Sequence, residues 1–160
     1  MKEEVMDKAI KKALKEFKEE EREEKKKKVL HNTKLLLRNF NNLKTHSDKA
    51  KYDISKLDIE AENGDDRAYI LSIRRSKLRT LIMVSHIEMA MSELKENKIR
   101  SGALEQYRAL EMFYIEKKSY KEIREELNCG YNTPTRWINE CVDELSVLLF
   151  GFDGVKMDLV

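Results

Sequence analysis

The chain has 160 residues, of which 39% are charged, with only five glycines and one proline. Because an average globular protein carries about 25% charged residues, this composition favours long solvated helices over sheets and loops. The length fits one domain, or a small domain with an extended helical arm. No apolar run is long enough for a membrane span, and the mixed acidic and basic N-terminus does not resemble a signal peptide.

The residues that usually carry chemistry are few and scattered. Cys129 and Cys141 have no zinc-type or disulfide-framework spacing, so we expect free thiols in a reducing cytoplasm. The three histidines, His31, His46 and His86, have no spacing suited to a metal or to proton transfer. No phosphate loop, nucleophile motif or metal-protease motif occurs. We therefore expect no enzyme activity, no metal and no cofactor.

Residues 1–28 predict a charged helical arm. Its only apolar residues at helical spacing form one narrow stripe made of Val5, Ala9, Ile10, Ala13, Leu14 and Phe17. Residues 18–28 contain no apolar side chain, so this stretch is expected to be helical only as a solvated arm. The arm is either a solvated extension or a surface that pairs with a partner, including a second copy through the N-terminal helices.

Residues 29–100 predict a helical hairpin or bundle. One amphipathic face runs from Val29 to Leu43, and a weaker one follows over residues 47–62. The turn-type residues 63–66 end that segment and offer Asp66 as the cap of a third helix starting at Arg67. The broad apolar face of this third helix consists of Ile70, Ile73, Leu78, Leu81, Ile82, Met89 and Leu94. Residues 97–102 break the pattern and mark the predicted boundary.

Residues 101–153 have the spacing of a helix-turn-helix, followed by a short tail at 154–160. After a first helix at 104–115, Ser119 and Glu122 form a predicted capping box for a helix ending at Leu127. We expect Gly130 to supply the positive φ of the turn. Thr133 is the predicted cap of the last helix, with Pro134 at its first position. That helix is expected to stop at Gly151.

The first turns of the last helix carry side chains suited to double-stranded DNA. Its buried face is predicted to hold Ile138, Cys141, Val142, Leu145, Leu148 and Leu149. Thr135, Arg136 and Asn139 lie on the opposite side, where Arg with guanine and Asn with adenine are favoured pairings. The other predicted contact residues are Asn132 and Thr133 for phosphate, Lys121 as a nearby cation, and Trp137, which either stacks at the DNA or packs inside.

Charge is distributed unfavourably for strong DNA binding. Residues 101–150 carry 6 basic and 9 acidic side chains, net −3, whereas residues 67–100 carry 8 and 3, net +5. Because phosphate neutralisation supplies most non-specific affinity, we expect weak intrinsic binding. The strongest basic patch is Arg74, Arg75, Lys77 and Arg79, predicted either to be solvated or paired with acids of residues 58–66, or to contact phosphate or polymerase.

The C-terminal run YRALEMFYIEKKSYKEIREELNCGYNTPTRWINECVDELSVLLFG resembles the region 4 helix-turn-helix of sigma-70-type factors, in the version found in phage-encoded late transcription regulators of the ArpU and RinA type. Upstream, YDISKLDIE and SIRRSKLRTLIMVSHIEMAM are similar to the helical N-terminal part of such proteins. The resemblance covers roughly residues 30–153. It implies a cytoplasmic partner of bacterial RNA polymerase at late phage or prophage promoters, contacting DNA through the helix that begins at Asn132.

The sequence therefore predicts an all-α protein with an arm, a helical hairpin and a C-terminal helix-turn-helix. Its expected function is sequence-specific transcription regulation together with RNA polymerase. The alternative is a helical protein–protein interaction module that does not bind DNA. Exposure of Thr135, Arg136 and Asn139 would favour DNA binding, and their burial would favour the alternative.

Overall fold

The computed structural model describes residues 2–61 and 67–155, and these form six α-helices and no strand. The predicted all-α class is thereby confirmed. The helices are α1 Lys2–Arg38, α2 Phe40–Ala61, α3 Arg67–Arg100, α4 Leu104–Tyr114, α5 Tyr120–Leu127 and α6 Thr133–Val155. The predicted Asp66 cap and residues 156–160 of the predicted tail lie outside the described residues.

Helix α1 joins the predicted arm and residues 29–38 in one helix of 37 residues. The predicted arm stripe is exposed along its length, and the buried residues of α1 are Thr33 and Leu37. The apolar face predicted from Val29 to Leu43 continues past the end of α1, because Phe40 and Leu43 of α2 pack on the same core as Leu37. The two helices meet at Asn39, whose N–H and side-chain amide both donate to the carbonyl of Leu35, at 3.2 Å and 2.8 Å.

Helices α2 and α3 pack against each other. Ion pairs from Lys44 to Glu88 and from Lys77 to Asp53 connect the two helices, the latter at 2.9 Å. The third predicted helix extends to Arg100 as one uninterrupted element. Two residues of its predicted apolar face, Ile82 and Met89, are nevertheless 57% and 70% exposed, because α2 covers only the other side of α3 there.

One hydrophobic core connects α4, α5 and α6 to the upstream helices. Its buried members come from α1, α3, α4, α5 and α6; they are Leu37, Ile87, Ala90, Met91, Leu94, Tyr107, Ala109, Leu110, Met112, Tyr114, Ile123, Ile138, Cys141, Val142 and Leu145. At the predicted boundary the chain turns sharply, with Gly102 at a φ of 70°. The Ala103 N–H donates to the Lys98 carbonyl at 2.8 Å, and this glycine-dependent cap ends α3 without interrupting the core.

Two buried hydroxyls fix the crossing of α1 and α6. The oxygens of Thr33 and Ser146 lie 2.8 Å apart, and both side chains are fully buried. Each oxygen also lies within hydrogen-bond distance of a carbonyl one turn earlier in its own helix, at 2.8 Å from Val29 and 2.7 Å from Val142. Because a buried hydroxyl without a partner is costly, this pairing favours one register of α6 on α1.

The two thiols are expected to react at very different rates. Burial raises the pKa of Cys141 to about 12, whereas Cys129 is only half-buried in the turn after α5. Because the thiolate is the reactive form, a disulfide reagent at pH 8 should label one thiol per native chain quickly. The second thiol should react only after urea is added. Equal labelling rates in the native protein would contradict the buried position of Cys141.

Candidate nucleic-acid interface

Helix α5 begins with the capping box that the sequence predicted. The Glu122 N–H donates to the Ser119 hydroxyl at 3.2 Å, and the Ser119 N–H donates to the Glu122 carboxylate at 2.8 Å. The short helix is held to the core by Ile123, which is fully buried. At its first residue, the ring of Tyr120 stacks on that of Phe113 in α4 with centroids 4.9 Å apart. These contacts fix α5 relative to α4.

The turn after α5 differs from the prediction. Asn128, and not Gly130, has the positive φ, at 48°. Asn128 is the first residue past α5, and its left-handed conformation ends the helix. Asparagine tolerates that conformation better than most residues do. Gly130 serves a different purpose, because a Cβ there would lie 3.3 Å from the Thr133 hydroxyl oxygen.

Substitutions at Asn128 should separate backbone strain from side-chain chemistry. Asn128→Ala is expected to lower the free energy of unfolding by about 1 kcal/mol, because alanine is strained at positive φ. Asn128→Gly should be neutral or stabilising, since glycine adopts this conformation freely. Urea unfolding followed by circular dichroism measures both values. A glycine variant as unstable as the alanine variant would show that the amide group itself holds the turn.

Helix α6 begins one residue earlier than predicted. Its first residue is Thr133, so Asn132 and not Thr133 occupies the cap position, and Pro134 is the second helical residue. The Asn132 carbonyl accepts the first bond of the helix, from the Arg136 N–H at 3.3 Å. Proline is tolerated here because the N–H groups of the first turn have no partner within the helix. The predicted stop is observed at Gly151, which is non-helical with φ 72° and ψ 176°.

The predicted recognition residues lie on the solvent side of α6. Thr135, Arg136 and Asn139 are exposed, as is Asn132 at the cap, and Thr133 is half-buried. The opposite side of α6 is locked into the core by buried residues, which include Ile138, Cys141, Val142 and Leu145. A rigid helix therefore presents its first two turns to solvent.

Trp137 packs against the core, which is one of the two roles that the sequence left open. The side chain is partly buried and packed against the core. It lies between the exposed Arg136 and the buried Ile138, so it is at the margin of the exposed face.

Two cations of residues 101–150 form ion pairs with neighbouring carboxylates. The Arg108 guanidinium lies 2.6 Å from the carboxylate of Glu111. The Lys118 ammonium lies 2.5 Å from that of Glu126, and this hydrogen bond raises the pKa of Lys118. Each glutamate therefore neutralises the positive charge of the basic side chain beside it.

Two further cations contact groups within the protein. The Lys117 ammonium donates to the Arg38 carbonyl at the end of α1, at 2.9 Å. The Arg124 guanidinium lies over the ring of Tyr131, 4.5 Å from its centroid. These contacts hold the loops on either side of α5.

Lys121 and Arg136 are the cations that remain. Both are exposed, and within the described residues neither has a hydrogen-bond or ion-pair partner. One lies in α5 and the other in the first turn of α6, so each of the two helices presents one cation without such a partner.

The predicted basic patch on α3 is divided between two sides of the helix. Lys77 is half-buried and bonded to Asp53 of α2, which is not among the acids of residues 58–66 that we expected as partners. Arg74 is half-buried as well. Arg75 and Arg79 are exposed, and no ion pair involves them within residues 2–61 and 67–155. Two of the four residues therefore remain available to a partner.

Other kinds of site have no counterpart in the part of the chain that the structure describes. Within it, no three His, Cys, Asp or Glu side chains are grouped so as to hold a metal ion. None of its helices has a stretch both long and apolar enough to cross a membrane.

Comparisons of the chain with known protein families, with curated proteins and with solved structures found no match. The likeness to sigma-type regulators thus remains a prediction carried by the quoted residues.

Proposed function

We propose that the protein is a sequence-specific, DNA-binding transcription regulator that acts together with bacterial RNA polymerase. Helices α5 and α6 with the turn between them are the DNA-contacting unit, and the first two turns of α6 enter the major groove. Thr135, Arg136 and Asn139 contact base edges, while Asn132, Thr133 and Lys121 contact phosphate. The resemblance to late phage regulators implies that it acts in the cytoplasm of a bacterial host.

The observation that carries the proposal is the exposure of Thr135, Arg136 and Asn139 on a helix whose other face is buried. A recognition helix requires this arrangement, because base-contacting side chains must reach the groove while the backbone stays fixed. Helix α5, which crosses the DNA backbone in this proposal, is held in place by its capping box and by the buried Ile123. Burial of these side chains would instead have favoured the alternative, a helical interaction module that does not bind DNA.

The dependence on polymerase follows from charge. With Lys121 and Arg136 as the free cations of this unit within the described residues, few phosphates are neutralised and little counterion is released. Affinity must then come from a second contact, and a tethered unit gains it through effective concentration. Polymerase bound at the promoter provides such a tether.

In vitro selection with the full chain tests the proposal. A random duplex library is enriched at low salt, once with the protein alone and once with bacterial RNA polymerase holoenzyme added. We expect one motif to be enriched in both selections and footprinting to show tighter binding with polymerase. Absence of any enriched motif in both selections would contradict the proposal. That result would favour the interaction module, for which the exposed apolar stripe of α1 is the supporting feature.

A further inference from the structure

Helix α3 carries an exposed stripe that no other described element covers. It comprises Arg75, Arg79, Ile82, His86, Met89 and Glu93, which are all exposed. Ile82 and Met89 are 57% and 70% exposed, and together with His86 they border a shallow depression on this side of the helix. Glu96 continues the stripe and is also exposed. We refer to these seven residues as the α3 seam.

The α3 seam lies along one face of the helix. From Arg75 to Glu96 its members follow each other at alternating intervals of four and three residues, and residues at these intervals share a face. The opposite side of α3 is occupied, since Val84 and Met91 are buried there. The α3 seam is thus an exposed helix face that no described residue covers.

Charge and apolarity are arranged symmetrically along the α3 seam. Arg75 and Arg79 lie at one end, Glu93 and Glu96 at the other, and Ile82 and Met89 flank His86 in the middle. Arg75, Arg79 and Glu93 have no ion pair within the described residues, while Glu96 contacts Arg100 at 3.4 Å. Such a stripe is complementary to itself when it is reversed.

We propose that the α3 seam is a dimer interface on which a second copy of this chain packs its own α3 in antiparallel orientation. With His86 at the two-fold axis, Ile82 of one copy lies opposite Met89 of the other. Arg79 lies opposite Glu93, and Arg75 opposite Glu96. In each pair, the two residues are the same number of positions from His86 to within one residue. Each pair occurs twice, as in any two-fold interface.

The dimer is expected to be reversible. The α3 seam spans about 32 Å at the helical rise of about 1.5 Å per residue. Two apolar residues per copy supply limited hydrophobic free energy, and the charged pairs at the ends mainly select the antiparallel partner. Association should therefore weaken with added salt, because the end pairs are solvent-exposed.

Charge reversal on the full chain tests the interface. R75E/R79E and E93R/E96R should each raise the dimer dissociation constant at least about tenfold, as measured by sedimentation. The effect is large because a two-fold dimer contains each unfavourable charge contact twice. Reversal at Lys49 and Asp48, exposed residues on α2, serves as the control and should leave the constant unchanged. Circular dichroism checks that each variant remains folded.

Mixing the two reversed variants gives the decisive result. One then has acidic residues at both ends of its α3 seam and the other has basic residues at both ends, so they should form a heterodimer more tightly than either variant forms a homodimer. A disulfide formed by H86C in a C129S background, with K49C as the control, should link two copies at the axis. A monomeric wild-type chain, or reversed variants that stay monomeric when mixed, would overturn the proposal. Both results leave DNA binding by α6 untouched.

Discussion

Arg136→Ala and Asn139→Ala are each expected to lower affinity for the selected duplex by about 1–3 kcal/mol, which is roughly five- to more than a hundredfold. Both side chains are exposed on the first two turns of α6, where a bidentate contact to a base edge is available. Because neither is packed in the core, the truncations should leave the free energy of unfolding within about 0.5 kcal/mol of the parent chain. Fluorescence anisotropy with the labelled duplex measures the affinity.

Matched controls separate base recognition from general charge. Arg100→Ala and Asn42→Ala remove the same side chains from exposed positions outside the proposed interface and should leave affinity unchanged. Lys121→Ala should weaken selected and random duplexes alike and reduce the salt slope by about one. Wild-type affinity in both the Arg136 and the Asn139 variant would refute the assignment of α6 as the recognition helix.

Removing the partner of a buried lysine should cause the largest loss of stability. Lys98, at the end of α3, is 6% exposed, and its ammonium lies 2.6 Å from the Glu144 carboxylate in α6 and 2.8 Å from the Gln106 side-chain oxygen in α4. Glu144→Ala leaves the ammonium with one neutral acceptor. We expect a loss of about 2–3 kcal/mol, below the range of about 3–5 for fully buried pairs because the glutamate is half exposed.

The reverse substitution should behave differently. Lys98→Met removes the buried charge itself and leaves an apolar chain of similar length, so the cost is expected to stay below about 1 kcal/mol. Asp143→Ala, at the exposed neighbour of Glu144, is the control and should be neutral. Urea unfolding of the variants supplies the values. Equal destabilisation by Glu144→Ala and Lys98→Met would show that the pair contributes to stability as a favourable unit.

The features that sequence predicted well are those determined over a few residues. The capping box at Ser119 and Glu122 is local chemistry, in which a hydroxyl and a carboxylate three residues apart satisfy each other's backbone N–H groups. The exposed and buried sides of α6 follow in the same way from its periodicity. The prediction placed the positive φ at Gly130, because residue type shows only which residues tolerate this conformation. Which of them adopts it depends on the residue at which the helix ends.

The features that sequence missed depend on contacts between distant residues. Lys98 and Glu144 are 46 positions apart, and nothing near either residue indicates that a lysine is buried there. Ile82 and Met89 fit the apolar pattern of α3, yet α2 covers one side of that helix alone. Periodicity predicts that a face requires a partner, but it does not predict which face the protein covers with its own residues.

Helix α1 connects a long solvent-exposed segment directly to the packed part of the protein. Residues 29–38 are clamped on α6 over about 15 Å, while residues 2–28 extend about 40 Å beyond the clamp at the helical rise of about 1.5 Å per residue. The Lys117 contact to the Arg38 carbonyl ties the C-terminal end of α1 to the loop before α5. A partner that binds the N-terminal part of α1 therefore holds a helix whose other end contacts both α6 and the loop before α5.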